Sequence, residues 1–259
     1  MSSNKLFVEN AKGQKISILI EKPEKAKGLA IIMHGLGGFK EQPHIEYVSK
    51  SFLDNNITTV RFDAVHTFGE STGGKYEDAT VTNYYDDLEF VIDWVKTQDF
   101  YDEPFFLAGH SLGGICTALY AEKHPEKIKG LAPLSTVVSG KLSMEAEVEK
   151  KKIWKETGWR ISESSSKPGL LKKIKWDHME DRLKYDLLPD ANKLNIPVLL
   201  IVGDKDTTTP LKHQKILFEK LPGEKEMHVV SGAPHTFKEK EHLEQLKDIF
   251  DRWIKKNFN

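Results

Sequence analysis

The residues best placed to do chemistry are Gly109-His110-Ser111-Leu112-Gly113, which sit between the apolar run "PFFLAGH" (104–110) and the small-residue stretch "SLGGICTALYAEKHP" (111–125). The first run predicts a strand and the second a helix stopped by proline. A serine on so tight a strand-to-helix turn is held in a strained backbone conformation. Glycines two before and two after it relieve the crowding and let helix and strand pack closely. The turn lifts the hydroxyl clear of the sheet, at the positive end of the helix. That is the setting of a nucleophile, but a serine hydroxyl near neutral pH also needs a base and a group that orients the base. Two carboxylates, Asp204 and Asp206, follow the run "IPVLLIVG" (196–203), and His235 follows "KEMHVVSG" (225–232). The other histidines are less apt. His44, His124, His178, His213 and His242 read as solvated polar residues, and His228 falls within a strand. Cys116, in the helix that follows Ser111, reads as a buried core thiol.

An attacked carbonyl develops negative charge, and preorganised backbone N–H groups aimed at that oxygen contribute roughly 3–4 kcal/mol per donor. "MHGLGGFK" (33–40) supplies a glycine-rich turn directly after the strand-like run "LAIIMHG" (29–35). It lacks the lysine and spacing of a phosphate-cradling P-loop.

These candidates need a scaffold, and the chain alternates apolar runs with amphipathic stretches. Strands are predicted at 15–23, 29–35, 57–63, 104–110, 128–135, 196–203 and 225–232. Helices are predicted at 45–56, 81–98, 111–125, 210–221 and 239–258. The second helix places Tyr84, Leu88, Val91 and Val95 on one face. The rhythm predicts one α/β domain with a largely parallel central sheet flanked by helices.

Bulk properties narrow the function classes. The 259 residues suffice for one large α/β domain. A net charge of −1 gives no electrostatic case for nucleic acid or an anionic membrane as partner. The first twenty residues carry no signal-peptide pattern, and no window approaches a membrane span. A single cysteine allows no internal disulfide and no Cys-rich metal site. A cytoplasmic location is expected.

Taken together, the nucleophile turn and the order Ser, Asp, His resemble the α/β-hydrolase superfamily of serine esterases. The acid of that superfamily sits in a G-x-x-D turn followed by proline. Gly203-Asp204-Lys205-Asp206 with Pro210 matches it, which implies Asp206, with Asp204 as runner-up. Its histidine sits in a G-x-x-H loop, matched by Gly232-Ala233-Pro234-His235. The resemblance of "MHGLGGFK" to its His-Gly loop implies that the N–H groups of Leu36 and Leu112 form the oxyanion hole. Residues 34–95 are similar to the cinnamoyl/feruloyl esterase branch. "HG-x-x-G-x-K-E" leads into the first helix there, and Gly69, Ser71, Gly74, Lys75, Tyr76, Glu77, Asp78 and Thr80 match a second motif. The loop "DAVHTFGES" departs from the pattern, with His66 and Phe68 in place of the usual residues. The resemblance implies a carboxylesterase-type enzyme that hydrolyses small acyl or aryl esters, of feruloyl or cinnamoyl type, through an acyl-enzyme on a Ser111–His235–Asp206 triad. It implies no metal and no organic cofactor. Same-fold alternatives are a lipid or monoacylglycerol hydrolase, a thioesterase and a peptidase; a non-catalytic ligand-binding member is a further one.

One segment fits neither strand nor clean helix. Residues 138–189 are longer than a βα connection needs and contain "WKETGWRISESSSKPGLLKKIKW" (154–176), with three of the five tryptophans. In the superfamily a helical cap is inserted after the sixth strand. The expected division is a core of 1–137 and 190–259 with 138–189 as the cap. "SSSKPG" (164–169) would be an exposed turn between two cap helices. Trp154, Trp159 and Trp176 are the candidate substrate-binding residues. Residues 139–189 hold twelve Lys/Arg and nine Asp/Glu, an excess too small to indicate an acidic substrate.

Overall fold

Apolar runs of five to seven residues, flanked by polar turns, build the central sheet of the computed structural model, which describes residues 1–164 and 169–258. In chain order the elements are β1 (Ser2–Glu9), β2 (Lys15–Lys22), β3 (Leu29–Met33), α1 (Pro43–Asp54), β4 (Thr58–Phe62), α2 (Val81–Val95), β5 (Phe105–His110), α3 (Leu112–Lys123) and β6 (Ile128–Leu134). Then follow α4 (Gly140–Glu145), α5 (Val148–Thr157), β7 (Trp159–Glu163), β8 (Leu171–Lys175), α6 (Asp177–Arg182), β9 (Val198–Gly203), α7 (Leu211–Lys220), β10 (Lys225–Val230) and α8 (Lys240–Phe258). The eight-stranded sheet has the order β1-β2-β4-β3-β5-β6-β9-β10. β1 and β2 pair antiparallel, as do β2 and β4; every later pairing is parallel. The expected α/β-hydrolase architecture is the one observed.

The central strands are buried on both faces, and side-chain alternation divides them between two cores. Leu29, Ile31 and Met33 of β3 enter a cluster with Tyr84, Leu88, Val91, Ile115 and Cys116 of α2 and α3. Ala30 and Ile32 enter the opposite cluster with Phe52 of α1 and Leu246, Phe250 and Trp253 of α8. α8 shows why a charged segment still docks. Its buried residues Leu243, Leu246, Ile249, Phe250, Trp253 and Ile254 recur at helical spacing, so one stripe faces the sheet. α2 starts at a reciprocal cap in which Asn83 N–H donates to Thr80 Oγ1 and Thr80 N–H donates to Asn83 Oδ1.

Three features differ from the sequence expectation. β1 is an additional edge strand. Only Leu6 and Val8 of its side chains are half-buried against the core, so its sequence carries little apolar signal. The segment between β6 and β9 does not hold two helices about a turn at 164–169. Residues 159–163 and 171–175 form an antiparallel hairpin, with the short helices α4, α5 and α6 around it; residues 165–168 of the expected turn lie outside the described residues. The cause is local. Gly158, at φ +74°, ends α5, and over 159–162 apolar and polar residues alternate with period two. The third difference concerns histidines: His44, His178 and His213 are buried, not solvated. Among the described residues no helix is long and apolar enough to cross a membrane.

Candidate active site

Ser111 stands at the junction of β5 and α3 with φ 55° and ψ −110°, a left-handed conformation disfavoured for a residue with a Cβ. Its N–H donates to Leu134 O at 2.9 Å, and its carbonyl accepts from Gly114, Ile115 and Val137. The flanking glycines are needed for space. A Cβ at Gly109 would run into the carbonyl oxygen of Gly113, and one at Gly113 into that of His34. Ser111 is 7% exposed, so its hydroxyl is reached only from one side.

The loops after β9 and β10 converge on this hydroxyl. His235 Nε2 lies 2.9 Å from Ser111 Oγ, and His235 Nδ1 lies 2.8 Å from Asp206 Oδ2. Asp206 is fixed in turn. Its Oδ1 accepts from the N–H groups of Thr208 and Thr209, both at 2.9 Å. Thr209 Oγ1 lies 2.8 Å from Asp206 Oδ2 and from Ser135 O. Burial by itself would raise the Asp206 carboxyl. The hydrogen bond and charge of His235, with the bonds from Thr209, outweigh it and hold the group well below the usual carboxylate range. An ionised Asp206 can only accept, so His235 carries its proton on Nδ1 and presents Nε2 as acceptor to Ser111. Asp204, the runner-up, is exposed and accepts from Gly232 N–H at 2.8 Å.

The His-Gly loop after β3 lies against the serine. A Cβ on Gly35 would sit 3.0 Å from Ser111 Cβ and from His110 Nδ1. Several contacts hold the loop. His34 Nε2 accepts from Ala64 N–H at 3.0 Å, and its Nδ1 donates to Gly35 O at 2.7 Å. That pairing requires the neutral ring, and burial lowers the His34 pKa accordingly. Tyr84 Oη accepts from Gly37 N–H, and Lys172 of β8 donates to Gly37 O at 2.9 Å. Lys40 is fully buried and bonds Asp63 at 2.8 Å and Glu70 at 2.6 Å. Among the described residues no hydrogen bond engages the N–H of Leu36 or of Leu112. A recess of about 60 Å³ opens between Leu36, Gly35 and Ser111. Beneath it His110 donates through Nε2 to His235 O at 2.9 Å, and burial with His235 nearby lowers its pKa to about 3.

A larger cavity of about 540 Å³ spans from Ser111, His235 and Leu36 to the segment between β6 and β9. Trp154 and Trp159 line it; Trp176 does not. Trp176 backs Trp154 edge-to-face, with centroids 5.5 Å apart at 90°. Phe68, from the divergent loop, packs at a tilt on Tyr76, with centroids 4.5 Å apart, and Tyr76 also lines the cavity. Among the lining residues that the sequence reading did not assign to the site are Arg160 and Arg182. Averaging charge over the whole segment hid them, and the alternation of 159–163 points the wrong way: it would turn Ile161 inward, whereas Ile161 is 61% exposed and Arg160 shares the face of the buried Ile174.

A family model described as serine aminopeptidase, S33, matches residues 24–185. The chain belongs to the S33 family. This S33-family chain has the α/β-hydrolase fold of the serine esterases. Putative esterase/lipase 2 of Mycoplasma genitalium is 26% identical over 93% of this chain and 96% of that protein. The mitochondrial palmitoyl-protein thioesterase ABHD10 of Bos taurus is 26% identical over 76% of this chain, which spans 63% of ABHD10. Among solved structures, ferulic acid-bound Est1E from Butyrivibrio proteoclasticus superposes with a TM-score of 0.82, at 23% identity, over 97% of this chain and 98% of Est1E. The α/β-hydrolase fold expected from the sequence is therefore shared with Est1E.

Proposed function

We propose that the S33-family chain is a serine carboxylic-ester hydrolase acting on small acyl or aryl esters. The observation that carries the reading is the hydrogen-bonded relay from Ser111 Oγ through His235 to Asp206 Oδ2, at 2.9 and 2.8 Å, opening into the cavity. Ser111 Oγ attacks the ester carbonyl while His235 Nε2 takes its proton. The carbonyl oxygen becomes an oxyanion, received by the N–H groups of Leu36 and Leu112. His235 then donates the proton to the departing alcohol, leaving an acyl group on Ser111. Water attacks that ester by the same route and regenerates the serine. Asp206 keeps the imidazole in the productive tautomer and stabilises the imidazolium. The cycle asks for no metal and no organic cofactor.

The segment 138–189 acts as a cap on a core of 1–137 and 190–259. Trp154 and Trp159 supply apolar wall for the acyl or alcohol group, and Trp176 holds Trp154 in place. The likeness of Est1E supports aryl esters of feruloyl type as substrates. The likeness of ABHD10 favours a second reading, thioester hydrolysis, which the same relay would perform with a thiol as leaving group. The test is turnover of p-nitrophenyl acetate, methyl ferulate and an S-acyl thioester by wild type and Ser111→Ala. We expect loss of at least about 10³-fold in the variant. Equal turnover by the two would refute the reading.

A further inference from the structure

The wall of the cavity that holds Ser111 carries two guanidinium groups that have no countercharge among the described residues. Arg182, at the end of α6, is 8% exposed. Its Nη2 donates to His178 Nε2 at 2.6 Å, and His178 Nδ1 donates to Ala79 O at 2.8 Å. A histidine that donates through one nitrogen and accepts through the other is neutral, so it offers Arg182 an acceptor but no charge. Arg160 projects from the inward face of the β7–β8 hairpin, the face shared with Lys172 and Ile174. Its guanidinium stacks over Trp154, 4.6 Å from the ring centroid, and hydrogen-bonds Tyr76. Among the described residues neither arginine forms a salt bridge, and the Nε of each is buried without a partner.

Nearby carboxylates are directed elsewhere. Asp181 accepts from Thr82 and Lys184. Of the cavity-lining carboxylates among the described residues, Glu147 pairs with Lys150 and Glu163 accepts from Gly169 N–H. A buried guanidinium without a countercharge is costly, and an anionic ligand would offset that cost for Arg182. Burial, with Arg160 beside it, lowers the Arg182 pKa to about 9, which still leaves the group charged at neutral pH. The arginines are also within substrate reach of the serine. Tyr76, bonded to Arg160, packs so closely on Gly37 that a Cβ there would lie 2.7 Å from its ring, and both arginines line the cavity that holds Ser111.

We propose that Arg160 and Arg182 form a carboxylate subsite, so that the preferred ester carries a carboxylate on its acyl or its alcohol side. Two planar forks match the two oxygens of a carboxylate. The subsite rests on the hydrolase reading above but can fail without it. The experiment compares kcat/KM within two matched pairs. Mono-p-nitrophenyl adipate against p-nitrophenyl hexanoate tests the acyl side; 4-acetoxybenzoate against its methyl ester tests the alcohol side. Wild type should prefer the anionic member of at least one pair by about tenfold or more. Arg160→Gln and Arg182→Gln should each erase most of that preference through KM, while Arg182→Lys should keep part of it. The ratio within a pair is the readout, so a general loss of activity cancels. Arg160 is only partly buried, and its variant serves if Arg182→Gln fails to fold. Calorimetric titration of Ser111→Ala with the same esters reads the preference without turnover. Ser111-dependent hydrolysis with no anionic preference in either pair, or a preference untouched by both Gln variants, overturns the subsite and leaves the hydrolase intact. Hydrolysis unaffected by Ser111→Ala overturns the hydrolase reading, and the titration then judges the subsite alone.

Discussion

Replacing Asp206 by Asn tests the proposed relay at its far end, and the structure indicates how the substitution acts. Asp206 Oδ1 accepts two backbone N–H groups, from Thr208 and Thr209, so an amide oxygen will take that position. The amide nitrogen is then forced into the place of Oδ2, 2.8 Å from His235 Nδ1. An NH2 group there donates where the carboxylate accepted. His235 must turn to the tautomer with its proton on Nε2, which donates to Ser111 Oγ and cannot take its proton. The backbone bonds survive, so the loop keeps its shape and stability changes little. Inverting the tautomer with the geometry intact costs about 10⁴ in kcat, or about 5 kcal/mol of barrier. Asp204→Asn is the control. Its side chain only caps Gly232 N–H from an exposed position, and the amide oxygen can replace it, so kcat/KM should stay within about threefold. The assay is kcat/KM for p-nitrophenyl acetate, with thermal unfolding to confirm that both variants are folded. A folded Asp206→Asn within about tenfold of wild type, or an Asp204→Asn that falls as far, would refute the reasoning.

Three further outcomes follow from other parts of the structure. Glu122 of α3 is 5% exposed, its Oε1 has no partner among the described residues, and burial, with Asp190 adding to it, raises its pKa from 4.5 to about 8. The folded state therefore holds this proton more tightly than the unfolded chain, and its contribution falls as pH rises from about 4.5 to about 8. Glu122→Gln should match wild type near pH 4.5 and exceed it by about 2–4 kcal/mol above pH 8 in urea denaturation; parallel pH profiles would contradict this. Lys40→Met strands the buried Asp63 carboxylate and should cost about 3–5 kcal/mol of stability, read by the same titration, with kcat falling as the His-Gly loop loosens. Alanine at Trp154 or Trp159 should change KM across a panel of acyl and aryl esters, whereas Trp176→Ala should act mainly on stability; unchanged kinetics at all three positions would remove the tryptophans from the substrate wall.

The sequence was most informative where chemistry and backbone geometry make the same demand. Gly109 and Gly113 flank Ser111 because no other residue fits there, so the motif marks both the serine and the turn that carries it. β3, β5 and β9 are buried on both faces, and their unbroken apolar runs are hard to mistake. Asp206 and His235 follow from the strands that precede them. Legibility failed where tertiary contacts override composition. β1 is an exposed edge whose pairing with β2 relies on backbone bonds, which leave little trace in side-chain type. In the segment 138–189 lysines and tryptophans mask a period-two pattern, and the hairpin went unread. His178 and Arg182 look like solvated residues of a polar helix, yet α6 packs against α2 and buries both. A single sequence does not tell which face of "DHMEDR" will be covered.

The central claim is that Ser111 is a nucleophile activated by His235. The most direct measurement is intact-protein mass and peptide mapping after exposure to a fluorophosphonate, which phosphonylates activated serines. The account predicts one adduct per chain, located on Ser111, absent in Ser111→Ala and strongly slowed in His235→Ala. An adduct on another residue, or labelling of Ser111 at the same rate without His235, would contradict it.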